Sequence, residues 1–323
     1  MLYTCRFCNY TSDDIEDFEE DFTQHKGYWC PMCDGFTYYD HRKDKQSYKL
    51  LLEVKSSNKS HEHSLFQKSK FPTQVSPLRW PGGKSKVLSQ ILSNCNRENM
   101  HSFVEPFAGG ASVGLSLLLS GNTKELYLND LDFGVYSLFA TIKENPEYLI
   151  NKIEQFTPSK DGYIVSQKVV KSKYKGCSIS EAAWHLLVVN RLAFSGIPKA
   201  NCMGNPAARW NANTLIKRVR NISRVSKHVH VSCMDACEFI EEMYWKPNTT
   251  ILIDPPYVLK GKDLYMEYYK NEDHEKLAFL LDELYKGVPG ADILITYDEC
   301  QYLREIYDFP VFENLERQYC IAN

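Results

Sequence analysis

The chain lacks any apolar run long enough to cross a bilayer, any internal repeat and any sustained heptad pattern. Those absences exclude a helical membrane span, a solenoid and a coiled coil. No signal-peptide pattern precedes its first cysteines, and nothing in its thiol usage points to an oxidising compartment, so a cytoplasmic location is expected. Net charge is scarce too. The formal value is −3 over 323 residues. With 43% hydrophobic residues, the chain can bury a full α/β core together with inserts.

That near-neutral average hides a split. Residues 151–230 hold 14 Lys or Arg against 3 Asp or Glu, and residues 231–323 hold 8 against 19. A basic block in a near-neutral protein reads as a phosphate-binding surface. Within it, Lys168, Lys171, Lys173 and Lys175 form a run with Tyr174 among them. Lys217, Arg218, Arg220 and Arg224 recur at helical spacing. Most of these side chains are expected to touch phosphate rather than bases.

The most informative tetrapeptide is Asp254-Pro255-Pro256-Tyr257. It follows Thr250-Ile251-Leu252-Ile253, an apolar run that reads as a buried strand. Open α/β sheets place ligands at such strand ends. Two prolines stiffen the turn and leave carbonyls unpaired. The chemistry this suits is attack by an amine conjugated to a heteroaromatic ring. A carboxylate (Asp254) and a carbonyl (Pro255) accepting its hydrogens would free the nitrogen lone pair. The Tyr257 ring could stack on the base.

Two upstream stretches read as a cofactor site. Phe103-Val104-Glu105-Pro106-Phe107-Ala108-Gly109-Gly110 runs from a strand through a glycine turn towards an apolar helix. Leu126-Tyr127-Leu128-Asn129-Asp130 is a second strand ending in an acid suited to ribose hydroxyls. Ala111 and Ser112 follow the glycines, so the dinucleotide pattern is not met and a nucleoside without phosphates fits better.

These motifs, in this order, resemble Dam-type DNA adenine methyltransferases, which use S-adenosylmethionine. The resemblance covers residues 77–323. It begins at Leu78-Arg79-Trp80-Pro81-Gly82-Gly83-Lys84 and ends at Glu316-Arg317-Gln318-Tyr319-Cys320-Ile321-Ala322. It implies that Trp80, Gly83 and Lys84 line the methionine end of the cofactor and that Asp235 lies near its adenine. It also implies that the basic block is a target-recognition insert. Asn190-Arg191-Leu192-Ala193-Phe194-Ser195-Gly196 resembles the family's loop at the DNA interface. The sheet implied is seven-stranded and mostly parallel, with one strand reversed near the edge. Strands are expected at 102–105, 125–129, 228–232, 250–253, 292–296, 310–314 and 316–321.

The N-terminus reads as a separate unit. Cys5-Arg6-Phe7-Cys8 and Cys30-Pro31-Met32-Cys33 are two knuckles with the spacing of a structural zinc site, the alternatives being a disulfide pair or a redox CxxC. Four thiolates would close the site, and the metal would supply the folding energy of so short a segment. The acidic stretch between the knuckles suits a protein contact better than DNA. The expected layout is a zinc ribbon at 1–40, a linker at 41–76 carrying a short strand or helix around Tyr48 to Val54, and a Rossmann-like catalytic domain at 77–150 and 228–323. A target-recognition insert occupies 151–227.

The expected activity is methyl transfer to the exocyclic amine of adenine in duplex DNA, with the base swung out of the stack. Catalytic candidates are Asp254, Pro255, Pro256 and Tyr257. Cofactor candidates are Trp80, Gly83, Lys84, Glu105, Pro106, Phe107, Gly109, Gly110, Asp130 and Asp235. DNA candidates are Lys171, Lys173, Asn190, Arg191, Ser195, Gly196, Arg218 and Arg220. Lys260 and Lys262 are candidates for backbone contacts on a flap. A monomer is expected. RNA adenine, a cytosine amine and a non-catalytic binding role are the competing readings.

Overall fold

The computed structural model describes residues 48–55, 71–72, 74–80, 82–97, 100–202, 204–259, 261–287, 289–307 and 311–317. Within 1–40 it describes the backbone of five short strands: β1 (Tyr3–Thr4), β2 (Thr11–Ser12), β3 (Glu19–Asp21), β4 (Gly27–Trp29) and β5 (Phe36–Thr37). β1 pairs with β2 and β4 pairs with both β3 and β5, all antiparallel. Cys5, Cys8, Cys30 and Cys33 lie outside the described residues.

Seven strands form the main sheet: β6 (Tyr48–Lys55), β7 (Ser102–Glu105), β8 (Glu125–Asn129), β9 (Val229–Ser232), β10 (Thr249–Ile253), β11 (Asp292–Asp298) and β12 (Val311–Arg317). Their order is β12-β6-β11-β10-β7-β8-β9. All six pairings are parallel. The expected reversed edge strand is therefore absent among the described residues. The two strands expected near the C-terminus are one strand, β12.

The stretch expected to be a linker is corrected most. Residues 48–55 of it lie inside the sheet between β11 and β12. Leu50, Leu51 and Leu52 are wholly buried because parallel strands are covered on both faces. Alternation sends Leu51 into one core with Phe103, Leu126, Leu252 and Leu294. Leu50 and Leu52 join Val104, Ile251, Ile253, Ile293 and Ile295 in the other.

Eleven helices complete the described chain. α1 (Leu88–Ser93), α2 (Ser112–Leu119) and α3 (Phe133–Glu144) accompany the first sheet strands. α4 (Pro146–Gln155), α5 (Lys160–Lys171), α6 (Ile179–Leu192) and α7 (Ala212–Arg224) form the helical region between β8 and β9. α8 (Ala236–Tyr244), α9 (Gly261–Leu264), α10 (Asn271–Lys286) and α11 (Gln301–Ile306) separate the later strands. Ser178 and Glu181 close a capping box at the start of α6. α7 is amphipathic: Leu215, Ile216, Val219 and Ile222 face inward, and Lys217, Arg220 and Arg224 face solvent. The insert has no core of its own. Leu186, Leu187, Val189 and Val219 share the cluster that holds Leu138 and Ile142 of α3.

Candidate active site

The chain runs from β7 to β8 and β9 on one side of the sheet, then returns to β10 on the other side of β7. Strand order therefore reverses at β7–β10, and an open parallel sheet has its crevice outside the carboxyl ends of those strands. A cavity opens there. Glu105 comes from the end of β7, Asp130 from just after β8 and Asp254 from just after β10, and all three line it with Trp80, Gly109 and Asp235. Asp254 and the Gly109–Asp130 turn thus face one space.

Asp254 is held through one oxygen only. Its Oδ1 accepts from Lys84 Nζ at 2.5 Å and from Thr296 Oγ1 at 2.7 Å. Its Oδ2 takes no hydrogen bond from any described residue, and the side chain is a quarter exposed to the cavity. Lys84 is nearly inaccessible and spends its hydrogens on three oxygens: Asp254 Oδ1, Glu53 Oε1 at 2.9 Å and the Gly82 carbonyl at 3.2 Å. Burial alone would lower the Lys84 pKa. Asp254 and Glu53 reverse that and hold it above the ordinary lysine value.

On the other side of the cavity, Gly109 has φ +45°, and its backbone lies so close to the Trp80 indole that a Cβ would collide with the ring. Its N–H donates to Asp130 Oδ2 at 2.8 Å, while Asp132 N–H donates to Asp130 Oδ1 at 2.9 Å. Burial pushes the Asp130 carboxyl up to about 7, with Asp132 adding to the effect. Glu105 Oε1 accepts from Gly114 N–H at 2.6 Å, and burial pushes its carboxyl up to about 8. Asn129, fully buried, donates to the carbonyls of Pro106 and Met234 and so ties the two strand-end loops together. Asp235 caps α8 by accepting from Cys237 and Glu238 N–H.

Residues 80–321 match the family described as D12 class N6 adenine-specific DNA methyltransferase. The chain belongs to that family. It is similar to the type II methyltransferase M.MjaIII of Methanocaldococcus jannaschii, 24% identical over 247 residues, covering 69% of this chain and 84% of that protein. It is also similar to the StsI modification methylase of Streptococcus sanguinis, 31% identical over 121 residues. That second match covers 35% of this chain and 18% of the relative. The protein is thus a DNA adenine methyltransferase, and membership implies S-adenosylmethionine as methyl donor.

The residues present in this methyltransferase fit that donor. A half-buried acid ends β8, a glycine turn lies against an indole and a second carboxyl sits beneath them, all in one apolar-walled cavity. Trp80, Gly83, Lys84, Glu105, Pro106, Phe107, Gly109, Gly110, Asp130 and Asp235 all line it. Lys84 Nζ is also met by two carboxylates and a carbonyl. Pro256 lines the cavity; Pro255 and Tyr257 do not. Tyr257 departs from the stacking expectation. Its ring is 7% exposed, packs edge-on to Tyr265, and its hydroxyl donates to Glu53. The aromatic wall comes instead from Tyr265, Tyr268 and Tyr269 beyond the turn.

The DNA candidates divide. Asn190 is wholly buried and holds Arg79 N–H, the Arg79 carbonyl and the Gly196 carbonyl, so it is a structural pin and not a surface contact. Gly196 is buried too. Its φ is +78°, and its Cα packs on the Arg79 carbonyl, where a Cβ would clash. Ser195 is exposed at φ 55°, beside a 60% exposed Phe194. Lys171, Lys173 and Arg220 are exposed, and Lys173 pairs with Glu267. Tyr174, which lies within the lysine run, is core. Arg218 donates to the Ser76 carbonyl and Gln74. Lys260 lies outside the described residues; Lys262 is exposed and its carbonyl accepts from Lys199.

Sequence reasoning missed Glu53, Asn129, Thr296 and Tyr265. Glu53 carried a readable signal. Leu50-Leu51-Leu52-Glu53 repeats the pattern of Ile251-Leu252-Ile253-Asp254, an apolar run ending in an acid.

Proposed function

We propose that this cavity receives S-adenosylmethionine and an adenine extruded from duplex DNA. The observation that carries this is the free Oδ2 of Asp254, which faces the same space as Gly109, Glu105 and Asp130. When bound, the donor supplies an electrophilic methyl group on a sulfonium. Trp80, Glu105, Gly109 and Asp130 would hold it. Asp254 Oδ2 would accept a hydrogen of the adenine amine, which helps to release the nitrogen lone pair from the ring. Lys84 and Thr296 keep Oδ1 fixed, so Oδ2 is aimed before the base arrives. Positioning supplies most of the rate, on the order of 7–11 kcal/mol for well-oriented reactants.

Four arginines support a phosphate-binding face beside the cavity. Arg79, Arg191, Arg209 and Arg218 make no ion pair among the described residues. Burial pushes Arg191 down to about 10, and the other three guanidiniums add to the effect. Arg79 Nη1 and Arg191 Nε are buried without a partner in the described structure. A cluster of like charges lacking an acid is relieved by a phosphodiester. The exposed lysines of α5 and the loop after it would extend that face.

We also assign a structural zinc to Cys5, Cys8, Cys30 and Cys33. The strands flanking each knuckle support it: Thr4 pairs with Thr11 and Trp29 with Phe36, one antiparallel pair around each CxxC.

Sequencing that detects N6-methyladenine tests the substrate. DNA from cells expressing the chain should carry the mark at one short recognition sequence. Unmarked DNA together with methylated RNA would overturn the reading.

A further inference from the structure

Glu53 lies upstream of the segment that matches the family, residues 80–321. Its side chain nevertheless reaches the same Lys84 that holds Asp254. β6 runs parallel between β11 and β12, with Glu53 level with Asp298 on one side and Leu315 on the other. That register puts Glu53 at the carboxyl rim, where Asp254 ends β10.

Its side chain is fully buried. One oxygen takes the Lys84 ammonium at 2.9 Å, and both oxygens accept the Tyr257 hydroxyl, at 3.1 and 3.2 Å. Lys84 therefore serves two carboxylates at once.

We propose that Glu53 is a positioning residue for methyl transfer: by sharing Lys84 with Asp254 and anchoring Tyr257, it keeps Asp254 Oδ2 a strong, fixed acceptor for the adenine amine. The consequence is that a strand preceding the family-matched segment belongs to the catalytic apparatus. This inference rests on the role given to Asp254 above.

Among the described residues, the groups facing the pair include Lys84, Thr296, Glu105, Tyr257, Tyr265 and Asp298. Burial raises the Asp254 carboxyl, Lys84 opposes that, and the Glu53 charge adds to the rise. Removing the Glu53 charge should therefore make Asp254 ionise more readily.

The experiment compares full-length wild type, Glu53→Gln, Glu53→Asp and Asp254→Ala. The readouts are kcat, KM for donor and for DNA, and the pH profile of kcat. Gln keeps the volume and an acceptor but loses the charge. Expected for Glu53→Gln is a fall in kcat of about 10- to 100-fold, the scale on which partners of active groups act. Both KM values should stay near wild type, and the acidic limb should move to lower pH. Glu53→Asp keeps the charge but shortens the reach, so kcat should fall while the limb stays put. Wild-type kcat and an unmoved limb in Glu53→Gln, with Asp254→Ala inactive, would overturn the role of Glu53 alone. Full activity in Asp254→Ala would overturn the reading beneath it. If Glu53→Gln does not fold, wild-type kcat in Glu53→Asp overturns the proposal and a reduced kcat supports it.

Discussion

Asp254 offers the cavity one oxygen because Lys84 and Thr296 hold the other. This division of labour within one carboxylate is the smallest unit of the mechanism. The neighbouring acids behave differently. Glu105 and Asp130 are raised by burial to about 8 and about 7. Both values lie above those of an unfolded chain, so the folded protein keeps protons that the unfolded one has already released. Stability from these groups is present at low pH and is lost as pH rises through the folded values. The melting temperature of the donor-free enzyme should therefore fall between about pH 6 and about pH 8.5. Glu105→Gln keeps the oxygen that accepts from Gly114 N–H but no longer titrates. Its melting curve should drop less over that window; a slope equal to wild type would assign the effect elsewhere.

β6 shows what a single element contributes. It inserts between β11 and β12, and three consecutive leucines fill both cores. Leu51→Ala should cost ~2–5 kcal/mol in chemical denaturation, as for other fully buried leucines. A loss below ~1 kcal/mol would mean that the strand is peripheral, since scattered surface changes stay in that range. This element was half legible. The run Tyr48 to Val54 is recognisable as a short strand or helix, but its polar, Lys- and Ser-rich flanks resemble a linker. Pairing partners more than two hundred residues away are not encoded locally. By contrast β7, β8 and β10 were read almost to the residue, because each is an apolar run punctuated by an acid or a proline. Asn190 was misread for a related reason. A loop motif announces importance without saying whether the side chain points out to DNA or in to Arg79 and Gly196.

At the scale of the whole molecule, the basic segment 151–230 packs its helices against α3, while the acidic segment 231–323 supplies β10, β11 and β12 of the main sheet. The basic insert shares its core with α3, so DNA contacts made there, as proposed, would bear on a rigid body rather than on a tethered module. Arg220 is exposed on α7, away from the buried stripe. Arg220→Ala should weaken binding to specific and non-specific duplexes alike. The salt slope should shrink by about one, as for a single lost phosphate contact. An unchanged slope would remove α7 from the interface. The N-terminal unit adds a second test. Elemental analysis of the purified full-length chain should return about one zinc per chain, and Cys30→Ser should lower it. Zinc content unaffected by that change would separate the knuckles from the metal.

The central claim is that a corner at the end of β10 grips the adenine amine in the cavity that also holds the methyl donor. Asp254→Ala addresses it most directly. Calorimetric titration with S-adenosylmethionine should give an affinity close to wild type, while single-turnover transfer to duplex DNA should be abolished. Transfer at the wild-type rate by that variant would contradict the account.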